Sequence, residues 1–419
     1  MAILGRFVIE GGRRLRGEVN INGSKNAALA IIPATLLASG PCVLSNLPNI
    51  SDVDLSFEIL RKMGATVNRQ GEHVAVIDAT SINSTEVPFN LAMKMRASYY
   101  YLGALLSKFK EANVAMPGGC NFGVRPINLH LNGFKSLGAE YKVDRGIIRL
   151  KAAKLQGTKI YFDVVSVGAT INILLAATMA QGVTIIENAA KEPHIVDLAN
   201  FLNSIGACIV GAGTNVIKIK GVSELKSSNY TIIPDPIEAG SYIAMAAITK
   251  GDVVIKDITI KHLESIINKM ESIGVHITKY DNSLRAYCVD ALKKVDVTSQ
   301  AYPGFPTDMQ PQITALLTSV KGTSIVTEGI WNNRFQYVGE LCRMGAVITV
   351  DGKVAVVEGG KRLTAAPVVA CDLRAGAALV IAALGAKGIT EIENTSYIER
   401  GYEDIVGKLT GLGARIEKV

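Results

Sequence analysis

Six glycines punctuate the 419-residue chain at near-even intervals, each between apolar neighbours: Met63-Gly64-Ala65, Leu137-Gly138-Ala139, Ile205-Gly206-Ala207, Ile273-Gly274-Val275, Met344-Gly345-Ala346 and Leu412-Gly413-Ala414. A period of about 70 residues is longer than that of the common solenoids, which reach about 50. The text before each glycine repeats as well. In the third copy Ser166-Val167-Gly168 opens the apolar run 169–180, Gly182 ends it, and 183–188 is rich in β-branched residues, as a strand is. Residues 194–206 are apolar at Ile195, Leu198, Leu202 and Ile205, the spacing of an amphipathic helix stopped by Gly206. A further strand begins at Cys208. The fourth and last copies keep this order.

Each unit thus carries two unlike helices. The first is apolar almost all round and is expected to be buried on every side; the second has one polar face. Strands alternate with them, which predicts a mixed α/β class. An interior of helices with sheets outside follows from the apolar helices. At roughly 150 residues per domain, two globular halves of three units each fit the length. One elongated array is the alternative.

Composition narrows the function. With 48% hydrophobic and 19% charged residues the chain is not of the disordered type. Forty-four basic against 37 acidic side chains, a formal +7, suits small anionic substrates better than a nucleic-acid groove, and 6% aromatics argues against base-stacking platforms. The longest uncharged stretch, between Lys25 and Asp52, is long enough to raise the question of a membrane span. Pro33 and the turn-like Ser39-Gly40-Pro41 divide it into a buried helix, a turn and a strand. Arg6 and Glu10 come too early for a signal-peptide core, so a soluble, cytoplasmic protein is expected. Cys42, Cys208, Cys288, Cys342 and Cys371 lie in apolar text and read as core fillers with free thiols.

Polar residues sit where the apolar helices begin: Lys25-Asn26, Arg96 to Ser98, Ser166 to Gly168, Glu238, Thr307-Asp308 and Asp372 to Arg374. A cation at a helix N-terminus opposes the macrodipole. Lys25, Arg96 and Arg374 therefore point to an anion site, unless they are solvated or paired with Asp308, Asp372 or Glu238. Aspartate at such a place is also a good cap. The segment 117–126, with three Gly, two Pro and Cys120, reads as an exposed loop, where nearby cations would make the thiol a nucleophile or an acid–base group. The five histidines, at 73, 130, 194, 262 and 276, have no metal-ligand spacing, and no phosphate loop, dinucleotide fingerprint or serine-hydrolase elbow is present. The remaining chemistry is a site without metal, rich in Arg, Lys and Asp, with one loop cysteine. That suits group transfer between phosphate-bearing molecules.

At these residues the chain resembles a known family. Gly23 to Ala28, Met95 to Ser98, Pro117 to Cys120, Arg125-Pro126, Ser166 to Thr170, Phe305 to Gln310, Asn333 to Phe335, Asp372 to Arg374 and Arg400 to Tyr402 resemble, in order and from end to end, the UDP-N-acetylglucosamine 1-carboxyvinyltransferases, also called enolpyruvyl transferases. The resemblance implies a two-domain inside-out α/β barrel of six βαβαββ-type units. Residues 1–24 with 233–419 would form one domain, 25–232 the other, and the active site would lie between them. It implies transfer of the enolpyruvyl group of phosphoenolpyruvate to the 3′-hydroxyl of UDP-N-acetylglucosamine with loss of phosphate, the first committed step of peptidoglycan synthesis. No cofactor, metal, nucleic acid or membrane is implied. Cys120 matches the family's loop cysteine, which protonates C3, can form an adduct with phosphoenolpyruvate and is the target of fosfomycin. Asp308 matches the base near the 3′-hydroxyl. Lys25, Arg125 and Arg400 match the cations around phosphoenolpyruvate, and Asn26 and Arg96 match substrate-site positions. Arg125, Pro126, Ile127, Asn128 and Leu129, then Ser166, Val167 and Gly168, and Ile330 match the nucleotide-sugar contacts. Arg334, Asp372 and Arg374 match further charged active-site residues.

Three positions depart from the family pattern: Val164 in place of a lysine, Tyr397 in place of a histidine and Asn332 in place of an acidic residue. They bear on rate, affinity and closure rather than on reaction type. Two other readings compete. A sister family makes 5-enolpyruvylshikimate 3-phosphate on the same fold, and a non-catalytic paralogue would bind UDP-sugars only.

Overall fold

The computed structural model describes residues 5–116 and 127–419; Cys120, Arg125 and Pro126 lie outside the described residues. All six repeat glycines take a left-handed backbone, with φ from 88° at Gly345 and Gly413 to 111° at Gly206. Side chains with a Cβ avoid that region. In every repeat the residue after the glycine sends its N–H back to a helix carbonyl: Ala65 to Leu60, Ala139 to Phe134, Ala207 to Leu202, Val275 to Met270, Ala346 to Leu341 and Ala414 to Leu409. This closure ends a helix by satisfying its last carbonyls. The six signatures are therefore six copies of one helix stop.

The chain divides into two units. One takes the start of the chain to Asn22 together with Pro234–Val419; the other runs from Gly23 to Ile233. Each contains three sheets built to one plan. In the third repeat Lys159–Tyr161 runs parallel to Val183–Glu187, which is antiparallel to Val216–Lys220, which is antiparallel in turn to Cys208–Val210. The buried helix Val167–Ala177 joins the two parallel strands, and the amphipathic helix Pro193–Ser204 follows them. In the second repeat the outer place is held by a single parallel bridge, Glu86 to Asn113.

Each unit is closed by a strand from the far end of its sequence. Asn229–Thr231 pairs parallel with Cys42–Ser45, Tyr230 opposite Leu44, and completes the first repeat's sheet. Phe7–Glu10 lies between Ile389–Glu393 and Arg415–Lys418 and completes the last. Helices are inside and sheets outside: every residue of Leu373–Gly385 except the last is buried, whereas Val216–Lys220 alternates exposed and buried positions. The four positions proposed to face inward in the third amphipathic helix, Ile195, Leu198, Leu202 and Ile205, are all fully buried. Each such side chain contributes about 1.5–3 kcal/mol. Pro33 does not end its helix. Lys25–Ala34 runs through it and tightens into the 3-10 turn Thr35–Leu37 before the strand Cys42–Ser45. Among the described residues no helix is long and apolar enough to cross a membrane.

The cysteines divide differently from the expectation. Cys208 and Cys342 are exposed, not core fillers. The alternation of Cys208–Val210 sends Ile209 inward and Cys208 to solvent. Cys342 lies beside buried Leu341 but on the outer side of the helix Val338–Arg343. Cys42 is buried, and burial pushes its thiol up. Burial likewise pushes Cys288 up to about 11. At Cys371 burial and the neighbouring Asp372 push it up to about 12.

One buried carboxyl holds the closing strand of the Gly23–Ile233 unit. Tyr230 donates its hydroxyl to Asp197 Oδ1 at 2.6 Å, and the Ile233 N–H donates to Oδ2 at 3.3 Å. Burial pushes the Asp197 carboxyl up from 3.8 to about 6, against the lowering effect of those two donors. A carboxyl raised on folding favours the protonated native state. Its stabilising contribution is full below pH 3.8 and is lost as pH rises through about 6. Asp197→Asn carries no such penalty. Relative to the parent it should gain on the order of 3 kcal/mol between about pH 4 and pH 7. Thermal unfolding of both proteins across that range measures this; parallel curves would contradict it.

Candidate active site

In both units the polar residues gather where buried helices begin. In the third, fifth and last repeats the buried helix leads from one strand to a parallel neighbour. In the Pro234–Val419 unit the 3-10 turn Thr307–Met309 leads into Gln310–Thr318 and presents Asp308. Its Oδ1 accepts from Arg334 Nη2 at 3.2 Å, and its Oδ2 accepts from Arg374 Nη2 at 3.2 Å. The Asp308 side chain is 29% exposed, against 3% and 4% for the two arginines. The carboxylate is thus partly exposed, while both of its cations are buried.

Arg374 lies in the first turn of Leu373–Gly385, where its charge opposes the helix dipole. Burial also works against that charge, and the nearby Asp308 carboxylate offsets it, so the guanidinium is held above its ordinary range. Its plane lies 5.7 Å from the centroid of the Tyr402 ring. The Tyr402 hydroxyl bonds Ser241 Oγ at 2.7 Å and accepts from Gln312 Nε2 at 3.2 Å. All three buried helices of this unit thus contribute to one polar network. Asp372 is the helix cap: its Oδ1 accepts from the amides of Arg374 and Ala375, at 2.8 and 3.0 Å. Asp235 caps Pro236–Ile248 in the same way, through Ile237 and Glu238. Glu238 is paired with Lys408 at 2.6 Å. Burial raises its carboxyl, and Lys408 opposes that. Arg400 follows the short helix Ser396–Glu399, half-buried.

Two of the buried helices of the Gly23–Ile233 unit are capped by neutral side chains. Ser24 Oγ accepts from the Ala27 amide at 3.4 Å, and Ser166 Oγ from Ala169 at 3.3 Å. A carboxylate cap cancels the positive end of a helix; a serine leaves it positive and suited to anions. Lys25, first in its helix, is 8% exposed and forms an ion pair of 2.7 Å with Asp52, 3% exposed. Asn26 beside it is half-buried. Lys25 and Arg374 are thus both charge-compensated within the protein. Lys25 is matched by Asp52 rather than by Asp308, Asp372 or Glu238.

A second cluster surrounds the start of Val167–Ala177. Arg96 lies over the Tyr99 ring at 5.4 Å, and Tyr99 meets His130 edge-on at 5.0 Å. Asn172 Oδ1 accepts the Gly103 N–H at 2.9 Å, so its amide nitrogen faces His130 Nδ1, also at 2.9 Å. His130 therefore accepts at Nδ1 and carries its proton on Nε2. Burial, with Arg96 nearby, pushes the ring down to about 3, so it is neutral. A Cβ on Gly168 would lie 2.6 Å from the Tyr99 hydroxyl and 2.8 Å from His130 Cε1, so only glycine fits this approach. Ile127 is buried, Leu129 half-buried and Asn128 exposed, on the helix turn that also carries His130.

The structure therefore brings Asp308, Arg334 and Arg374 into direct contact, with Asp372 as the cap beneath them. It sets Arg96 and Gly168 around one tyrosine and one histidine. Ile330 lies on an exposed loop and is 38% exposed. Sequence reasoning missed Asp52, Tyr99, His130, Asn172 and the placement of Tyr402. Asp52 gave no signal, since an acid in the first turn of a helix is ordinary until its burial is seen.

The EPSP synthase family model, described as 3-phosphoshikimate 1-carboxyvinyltransferase, matches residues 9–409. The enolpyruvyl transferase NikO from Streptomyces tendae has the same structure with a TM-score of 0.91 at 26% identity, covering 99% of both chains. An EPSP synthase from Acinetobacter baumannii shares the fold, with a TM-score of 0.76 at 18% identity over 99% of this chain and 100% of that one. The family match over residues 9–409 places the chain among the carboxyvinyltransferases. Curated relatives lie nearer still. UDP-N-acetylglucosamine 1-carboxyvinyltransferase 3 of Caldanaerobacter subterraneus subsp. tengcongensis is 54% identical over 99% of both chains. The UDP-N-acetylglucosamine 1-carboxyvinyltransferase of Halothermothrix orenii is 52% identical over 99% of this chain and 100% of its own. The chain belongs to the UDP-N-acetylglucosamine 1-carboxyvinyltransferase family.

Proposed function

We propose that the protein transfers the enolpyruvyl group of phosphoenolpyruvate to the 3′-hydroxyl of UDP-N-acetylglucosamine, the step that commits the sugar to peptidoglycan. The observation that carries the reading is Asp308, a partly exposed carboxylate fixed on two buried arginines, in a chain half identical to enzymes named for this reaction.

The reaction is an addition followed by an elimination. Asp308 takes the proton of the acceptor hydroxyl as its oxygen bonds to C2 of phosphoenolpyruvate, while Cys120 delivers a proton to C3. The C2–O bond to phosphate then breaks, C3 loses a proton, and an enol ether and inorganic phosphate remain. Arg334 and Arg374 fix the orientation of the base. Lys25, Arg125 and Arg400 hold the phosphate and carboxylate of the donor and stabilise charge that develops on them. Asn26 and Arg96 complete the substrate site. Residues Arg125 to Leu129, Ser166 to Gly168, and Ile330 hold the nucleotide sugar. The serine-capped helices of the Gly23–Ile233 unit support binding of anionic groups. None of the five described cysteines is paired, which supports a reducing, cytoplasmic setting.

Phosphoenolpyruvate and UDP-N-acetylglucosamine incubated with the protein should give phosphate and the enolpyruvyl ether in equal amounts. Binding of the nucleotide sugar without phosphate release would mark a sensor instead of an enzyme.

A further inference from the structure

We propose that Glu328 is a positioning residue of this transfer, which locks the loop bearing Ile330 to the turn bearing Asp308 so that the sugar contact and the base are set as one body. The inference rests on the function proposed above.

Glu328 ends the strand Gly322–Glu328 and is 1% exposed. Thr307 donates its hydroxyl to the carboxylate, with both oxygens at 3.0 Å. The N–H groups of Ile330 and Trp331 donate to Oε1 at 2.9 and 3.0 Å. Just before them the Gly329 N–H donates to buried Ser299 Oγ at 3.0 Å. A Cβ on Gly329 would fall 2.2 Å from the Ser299 carbonyl oxygen. At the other end of the loop Arg334 holds Asp308. The loop is thus fastened at its two ends to two consecutive residues, Thr307 and Asp308.

Packing alone does not call for this arrangement. A buried carboxylate is costly unless hydrogen-bonded, and an apolar side chain would fill the space. Ile330 is 38% exposed, so its side chain does little to fix its own position; the amide held by Glu328 does. A loop set through its backbone by a buried acid, itself tied to the residue before the base, is a supporting shell of the kind a site needs to hold its geometry.

The test compares Glu328→Ala, Glu328→Gln and Thr307→Val with the parent, measuring kcat, KM for each substrate and melting temperature. Misplacing a site by about 1 Å costs up to about 100-fold. Glu328→Ala should raise KM for UDP-N-acetylglucosamine about tenfold and lower kcat about tenfold, leaving KM for phosphoenolpyruvate within about twofold. Thr307→Val should move the same two constants by about threefold. Glu328→Gln keeps an acceptor for both amides and can donate to Thr307, so it should restore most of the loss. The inference is overturned if the alanine variant keeps parental constants, or if both KM values rise together as the melting temperature falls. Should that variant not fold, unchanged constants in Thr307→Val overturn it. Parent protein inactive on the nucleotide sugar would refute the function; an active parent without this split refutes only the role of Glu328.

Discussion

Cys120→Ser should lower turnover at neutral pH by about 10²–10⁴-fold, the usual contribution of a positioned general acid. The reaction must add a proton to an unactivated methylene carbon. A thiol close to its pKa gives up a proton readily; a serine hydroxyl does not. Binding of the nucleotide sugar should survive, because Cys120 is not among the residues assigned to it. Calorimetric titration with UDP-N-acetylglucosamine separates the two effects. Cys120→Asp should keep measurable activity, since a carboxyl can also deliver a proton. Full activity in the serine variant would remove Cys120 from the acid's role.

Asp308→Asn should be nearly as damaging, and for two separable reasons. The amide cannot take the proton of the acceptor hydroxyl, which should lower kcat by about 10²–10⁴-fold. It also removes the negative charge shared by Arg334 and Arg374, which are 3% and 4% exposed. Leaving buried charges without their partner costs about 3–5 kcal/mol. The variant should therefore melt lower as well as turn over slowly. Parental kcat in a folded Asp308→Asn protein would show that Asp308 is not the base. A parental melting temperature would show that the arginines do not depend on it.

Much of the fold was legible because its signals are local. A glycine that ends a helix in the left-handed region needs only its own backbone freedom, and all six repeat glycines do this. A helix apolar on every side, such as Val167–Ala177, has only the interior to go to. What stayed hidden depends on partners far away in sequence. Nothing near Lys25 names Asp52 as its counter-ion, and nothing near Phe7–Glu10 shows that it pairs with Ile389–Glu393. Apolar neighbours misled at Cys208 and Cys342, because the outer face of a sheet or helix alternates with the inner one and the sequence does not say which residue falls on which.

The site divides along the same line. Asp308, Arg334 and Arg374 were each singled out by residue type and motif. Their contact is long-range: Arg334 and Arg374 reach Asp308 from 26 and 66 residues away, and nothing local in the sequence shows it. Glu328 gave no signal, since an acid at the end of a strand is ordinary until its burial and its four hydrogen bonds are seen. His130 was weighed only as a metal ligand; its neutral ring beside Tyr99 emerges from packing against Asn172.

The choice of acceptor is the most direct test of the whole account. Phosphate release from phosphoenolpyruvate is measured with UDP-N-acetylglucosamine and, separately, with shikimate 3-phosphate. Release with the nucleotide sugar alone is the predicted result. Turnover of shikimate 3-phosphate with none of UDP-N-acetylglucosamine would contradict it.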